Sequence, residues 1–459
     1  MMEKGSSNAS LFLWRLYHRS GWCKTMPCLA PGVEIIMNLF VIRRVYKAVL
    51  TSVSMAVAMS VTGPVLALPR AEPEASGFSP ARLALITETL QHYVDAGHIP
   101  GIVAGIARHG QIVYLESMGW QDVEQQIPMR PDAMFQIRSM SKPIVSLAAM
   151  QLIEDGQLSL EDPVARYIPV FSGMTVSDNA ADPDAVTRAS SRQITIADLL
   201  LHTSGLSHRN SSLYRERGVR SRADTLAQLT EKVAQVPLIA EPGILWNYSI
   251  STTILGRVVE IASGQPLDDY LQTAIFIPVG MRDTGFYVPD DKIDQLVQVY
   301  GLGSQGMQRQ PDMSVPITRD PPLLEGAAGL VSTVPDYLRF LQVFMNDGTL
   351  DGQRVLGNAG VELMTTNQLP ADLLPIALNP QRPMRDLGWG YGFSVVIDNT
   401  ESGFARNNGE FGWNGSLGTF SWADPETGTV AVLMMQIEPS GAFNLSALFK
   451  SLLSQSITR

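Results

Sequence analysis

"FQIRSMSKPIVSLAAMQLIEDG", residues 135–156, reads as an amphipathic helix that should be buried, with one polar interruption where it begins. Ser139 and Lys142 stand three apart there, with Pro143 directly behind them. A spacing of three puts two side chains on one helix face, within hydrogen-bond reach. Proline is tolerated because a first-turn N–H has no intrahelical acceptor to lose. One reading is a capping serine beside a solvated lysine. The other is a nucleophile and its base, since a serine hydroxyl needs a partner for its proton and a lysine serves once burial or nearby cations hold it neutral. Backbone N–H groups and the positive dipole end at the helix start would then favour an oxyanion nearby. Lysine is scarce beyond residue 67, limited to Lys142, Lys232, Lys292 and Lys450, and of these only Lys142 follows a serine by three.

The surrounding chain is that of a globular protein of 459 residues, 45% hydrophobic and 17% charged. Residues 1–67 hold seven Lys/Arg and two Asp/Glu, leaving 27 basic against 42 acidic residues in the body. A body that acidic argues against nucleic acid or an anionic membrane surface as the main partner. From Met37 the sequence carries a basic segment (Arg43, Arg44, Lys47), an apolar run over 48–62 and the small-residue site Val65-Leu66-Ala67, the pattern of a signal peptide over 37–67. Residues 1–36 are then expected to be upstream of the natural start, and the mature protein to be exported, periplasmic or secreted. Cys23 and Cys28 both precede Met37, so a mature chain would have no thiol chemistry. The six histidines show no metal-ligand spacing. Neither a cofactor nor a metal is expected.

Residues 80–97 have helical spacing, and 101–120 alternate as a hairpin turning at His109-Gly110. The chain turns β-rich again near its end, with a hairpin loop from Asp424 to Gly428, and closes on a helix over 444–456. Strands at both ends with helices between predict an α+β fold, an antiparallel sheet flanked by helices. Its α/β domain would comprise 75–156 and 326–459, with a mainly helical domain over 157–325 inserted.

Further segments sharpen the reading of Ser139 and Lys142. "TIADLLLHTSGL" (195–206), "EPGILWNYSISTTILGRVVEIASGQPLDDYL" (241–271), "IFIPVGMRDTGF" (275–286), "GAAGLVSTVPDYLRF" (326–340) and "FGWNGSLGTFSWADP" (411–425) follow "FQIRSMSKP" in order. Together they resemble the serine β-lactamase and penicillin-binding-protein superfamily, in its class C branch, across roughly residues 75–455. The resemblance implies a β-lactamase-like fold with Ser139 as nucleophile, Lys142 as supporting base and Tyr248 as the tyrosine that, as a phenolate, takes the serine proton. It also implies an oxyanion hole from the backbone N–H groups of Ser139 and Ser416, and substrate contacts from Trp413, Asn414, Gly415 and Ile250.

Two departures redirect the expected substrate. The second motif reads Tyr248-Ser249-Ile250 where Tyr-x-Asn is usual, so an orienting amide is absent. The third reads Trp413-Asn414-Gly415 where Lys-Thr-Gly is usual, and no lysine lies between Lys292 and Lys450. An aromatic in place of a cation suits a neutral, partly apolar ester. The chain most resembles the family VIII carboxylesterases in these exchanges, implying hydrolysis of short-chain acyl esters through an acyl-enzyme on Ser139. A β-lactamase or D-alanyl-D-alanine-type peptidase or amidase of the same fold is one alternative, and a non-catalytic binding protein another.

Other features compete for attention. Ser177-Asp178-Asn179 copies a class A motif but sits in a turn-rich loop. His202 invites a Ser-His-Asp triad, yet no Gly-x-Ser-x-Gly elbow exists, and it reads as structural beside a Thr195/Asp198 capping box. The arginines of the 209–222 stretch read by default as a solvated face, with a border on the substrate cleft as the alternative.

Overall fold

The computed structural model describes residues 67–458, apart from 181, 183, 184, 305 and 314–320. The leader expected over 37–67 and the segment before it fall, Ala67 aside, outside the described residues. In chain order, α1 (Pro80–Asp95) precedes a hairpin of β1 (Gly101–Arg108) and β2 (Gln111–Asp122) and the short β3 (Ile127–Pro128). The buried helix of the opening stretch is α2 (Ser141–Glu154). Helices α3 (Ile196–Leu201), α4 (Ser251–Ser263) and α5 (Val334–Met345) follow. The chain then lays down β4 (Leu387–Trp389), β5 (Ser394–Val396), β6 (Phe411–Gly415), β7 (Thr419–Asp424) and β8 (Thr429–Met434), and ends on α6 (Leu445–Ser456).

Among the described residues these strands form one eight-stranded antiparallel sheet in the order β4-β5-β6-β7-β8-β1-β2-β3. The two ends of the chain meet where β8 pairs with β1, from Val103 opposite Met434 to Arg108 opposite Thr429. The β1–β2 turn holds His109 at φ 49° and Gly110 at φ 79°, the left-handed pair that matches the twist of a tight hairpin. Both sheet faces are covered, which is why β1 reads "GIVAGIAR" with little alternation and is buried from Gly101 to Ala107. On the outer face, Leu83, Ile86 and Leu90 of α1 and Leu445, Phe449 and Leu453 of α6 pack against Ile102, Ala104, Ile106 and Trp422. On the inner face, Ile144, Leu147 and Ala148 of α2 and Leu338 and Leu341 of α5 share a larger core with Val103, Val430 and Val432. Gly105 makes that inner contact close, since a Cβ there would stand 2.6 Å from Val334 and 2.9 Å from Leu338.

Helix α2 runs through this inner core with 11 of its residues buried. At about 1.5–3 kcal/mol per fully buried large apolar side chain, its anchoring far exceeds what helix propensity alone supplies. A rigidly held helix fixes whatever stands at its first turn.

Candidate active site

Ser139 sits just ahead of α2, in a 3-10 turn over Arg138–Met140, and Lys142 lies in the first turn of the helix proper. Arg138 enters the turn at φ 47°, a left-handed conformation that is uncommon for a residue with a side chain. The turn is pinned on both sides. Tyr337 on α5 donates its hydroxyl to the Met140 carbonyl at 2.9 Å, and the Ile137 N–H donates to Leu330 at 3.1 Å. The second serine of the stretch, Ser141, is fully buried and its hydroxyl accepts from the Leu330 N–H at 3.2 Å, so it braces the turn and faces away from the cleft.

The Lys142 amine lies 3.3 Å from the Ser139 hydroxyl and donates to the Ala327 carbonyl at 2.9 Å. It is 1% exposed, and burial, reinforced by the positive charge of Arg209 and only partly opposed by Glu325, holds its pKa well below the usual lysine value. Tyr248 completes the group. Its hydroxyl bonds with Ser139 and accepts from the Trp413 indole N–H at 2.8 Å, while the Lys142 amine stands 4.4 Å from its ring centroid. Burial pushes the Tyr248 pKa up to about 12 against the lowering effect of those two hydrogen bonds. Both directions favour a neutral amine beside a neutral phenol. The environment thus works against the phenolate expected from the sequence, because a buried phenolate has lost its water and the same burial disfavours the charged form of the lysine beside it.

Tyr248 is placed by a turn whose chemistry starts at Thr195. Thr195 caps α3 and forms a capping box with Asp198, whose carboxylate also accepts from Thr203 and takes both guanidinium nitrogens of Arg192 at 2.6 and 2.8 Å. The turn so fixed holds the Tyr248 segment by several hydrogen bonds, among them the Asn247 N–H to the His202 carbonyl, the Asn247 side chain to the Leu206 carbonyl, and the Ile250 N–H to the Ser207 carbonyl. His202 is buried, with its ring centroid 4.8 Å from that of Tyr248. Its Nδ1 accepts from the Ser249 N–H at 3.3 Å, which places the ring proton on Nε2. Burial, with Lys142 and His208 nearby, lowers its pKa well below the usual imidazole value. Trp246, Trp389, Trp413 and His208 complete an aromatic wall around Tyr248.

The third-motif strand divides its residues between the two sheet faces. Trp413 points inward to Tyr248, whereas Asn414, paired with Phe420, lies on the outer face with Trp422. Asn414 is therefore not among the side chains brought to Ser139. Gly415 is: a Cβ there would stand 2.3 Å from the Ile137 carbonyl, so only glycine lets β6 touch the turn that carries Ser139. Thr419 Oγ1 donates to the same carbonyl at 3.2 Å. Ser416 follows Gly415 and is exposed. Ile250 is fully buried in the inner core and presents no surface to a ligand.

The arginine stretch is a correction. Arg215 and Arg217 are solvated as expected, but Arg209 and Arg220 fold inward onto Glu325, at 2.9 Å and 2.6 Å. Glu325 is 5% exposed; burial pushes its pKa up, yet the two arginines outweigh this and hold it near about 2, below the ordinary 4.5. The glutamate lies immediately before "GAAG", and nothing in its local sequence advertises the pairing. Because the folded value is depressed, its contribution to stability is fully present above about pH 4.5 and is lost as pH falls toward 2. Glu325→Ala is expected to cost about 1–3 kcal/mol in urea unfolding at neutral pH, since it leaves two partly buried guanidinium groups without their carboxylate.

The family model described as beta-lactamase matches residues 86–452. The chain is 32% identical to Protein Rv1367c of Mycobacterium tuberculosis, over 78% of this chain and 91% of that one. It is 29% identical to Esterase EstB of Burkholderia gladioli, over 78% of this chain and 94% of that one. Among solved structures, EstCE1, described as a hydrolase with promiscuous acyltransferase activity, superposes with a TM-score of 0.70 at 27% identity, covering 83% of this chain and 99% of its own.

Proposed function

This chain belongs to the beta-lactamase family and is a serine hydrolase, and from that premise we propose that it is a carboxylesterase acting on short-chain acyl esters. The observation that carries the reading is the contact between Trp413 and Tyr248. The third-motif position holds an indole whose N–H is spent on the Tyr248 oxygen, so no cation stands there for a β-lactam or peptide carboxylate. The wall around it, Trp246, Trp389 and Trp413, suits an apolar acyl or alcohol group. The likeness to Esterase EstB and to EstCE1, described as a hydrolase, supports the same class.

In the proposed mechanism Ser139 attacks the ester carbonyl. Its proton passes to the neutral Lys142 amine 3.3 Å away, directly or through the Tyr248 hydroxyl that bonds to Ser139. The backbone N–H groups of Ser139 and Ser416 receive the oxyanion, with Gly415 allowing β6 to approach. The alcohol leaves with that proton. Water, activated by the same pair, then releases the acid. Export through the 37–67 leader is part of the proposal, and N-terminal sequencing of protein recovered from outside the cytoplasm should begin near Leu68.

Turnover of a short-chain nitrophenyl ester, compared with a chromogenic cephalosporin and a D-amino-acid peptide, tests the assignment. Ester turnover alone is expected, and turnover of only the cephalosporin contradicts it. The pH profile tests the proton path. Protonating Lys142 removes the base, so kcat/KM should fall on the acid side and reach a plateau at a pH well below the ordinary lysine value of 10.5. With Tyr248 near about 12, no second rise is expected up to about pH 10, and Tyr248→Phe should lower the plateau by roughly two orders of magnitude. A profile that climbs throughout with no plateau would instead assign the base to the phenolate.

A further inference from the structure

His202 is more than a buried polar residue at the end of a helix. It closes α3 in a left-handed conformation at φ 58°, uncommon for a residue with a side chain. Its imidazole packs against the Tyr248 ring. It also grips the chain on both sides of Tyr248: the Asn247 N–H donates to its carbonyl at 2.9 Å and the Ser249 N–H to its Nδ1 at 3.3 Å. A left-handed backbone held at such a point is a mark of function.

Behind His202 stands a row of three buried hydroxyls. Ser249 Oγ lies 3.2 Å from Nδ1, Ser251 Oγ 2.7 Å from Ser249 Oγ, and Ser204 Oγ 2.7 Å from Ser251 Oγ. Two backbone donors fix the ends of the row: the Ser251 N–H donates to Ser249 Oγ and the Leu206 N–H to Ser204 Oγ, each at 3.2 Å. A hydroxyl has one proton to give. With Nδ1 bare, Ser204 donates to Ser251, Ser251 to Ser249 and Ser249 to Nδ1, so every proton finds an acceptor. A proton on Nδ1 would instead face the buried Ser249 N–H, setting donor against donor. The row therefore fixes one tautomer. It also ties the first turn of α4, which carries Ser251, to the 202–207 turn, and Tyr248 lies in the chain between them.

We infer that His202, locked with its proton on Nε2 by Ser249, Ser251 and Ser204, is a positioning residue that aims the Tyr248 hydroxyl for proton transfer with Ser139 and Lys142. The inference rests on the proposed proton path through Tyr248. The Ser249 N–H shares a peptide plane with the Tyr248 carbonyl, so its bond to Nδ1 sets the backbone angle from which the Tyr248 ring springs. The imidazole packed on that ring restricts its swing. Misplacing a reacting group by about 1 Å can cost roughly a hundredfold in rate.

Two measurements test this. The first is a double-mutant cycle on the rate at which a fluorophosphonate modifies Ser139, a reaction that needs the activated serine but no particular ester. His202→Leu is expected to lower the maximal rate by roughly tenfold to a hundredfold with little change in the concentration for half-saturation. His202→Asn, which keeps an acceptor near the Nδ1 position and tolerates the left-handed backbone, should restore most of it. In the Tyr248→Phe background His202→Leu should cost less than about threefold, since it acts through the missing hydroxyl. Should His202→Leu not fold, Ser249→Ala takes its place in the cycle, with an expected loss of roughly threefold to tenfold. A loss that persists undiminished without the Tyr248 hydroxyl, or no loss at all, overturns the inference. If Tyr248→Phe alone has no effect, the proton path fails first and the inference falls with it. The second measurement is imidazole ¹⁵N NMR of the wild-type protein at neutral pH. A bare Nδ1 and a protonated Nε2 on His202 are expected, and a proton on Nδ1 overturns the lock without any variant.

Discussion

Ser139→Ala is expected to lower ester turnover by roughly four or more orders of magnitude, the cost of removing a covalent nucleophile while leaving binding and an oxyanion hole in place. No neighbour can take over. Ser141, two residues on, is fully buried with its hydroxyl held by the Leu330 N–H, and the Tyr248 hydroxyl is held by Trp413. The substitution removes one oxygen from a partly exposed position, so unfolding by urea should be nearly unchanged. Loss of activity without loss of stability, measured on the same preparation, separates a chemical role from a structural one.

Lys142→Met is expected to lower kcat by roughly two to four orders of magnitude, with a much smaller effect on KM, because a positioned base acts in the transition state and not in ground-state binding. Methionine approximates the length of the lysine stem without its amine. Stability should hold or rise, since burial already drives the amine toward its neutral form and its removal relieves a polar group in an apolar surround. Lys142→Arg provides the contrast. It places a permanent cation there that can never accept a proton at neutral pH, so it should be as inactive as the methionine variant. Recovery of activity in Lys142→Arg would show that the site needs charge, not a base.

How far these residues could be read from the chain depends on the range of the interactions that place them. The Ser139–Lys142 pair was legible because three-residue spacing aligns side chains in both a 3-10 turn and an α-helix, so the argument survived the change of helix type at Met140. The sheet was legible too, as strands at both ends of the chain have to pair somewhere. Tyr248 carried no local signal. It is fixed by hydrogen bonds from the 202–207 turn, more than forty residues upstream, and only the family resemblance pointed to it. Arg209 and Arg220 were misread as solvated for the same reason, because their carboxylate stands 116 and 105 positions away. Asn414 illustrates the opposite case: strand alternation alone, with Trp413 inward, would have sent it to the outer face. The protonation states were not legible at all, since they depend on burial that no motif encodes.

The account turns on a covalent bond to Ser139. Rapid quenching of the purified protein with a slowly deacylating ester, followed by mass spectrometry of the intact chain and its peptides, tests this most directly. The account expects one acyl group per chain, carried by the peptide that holds Ser139, and absent in Ser139→Ala. An acyl group on another residue, or ester turnover with none at Ser139 under single-turnover conditions, would contradict it.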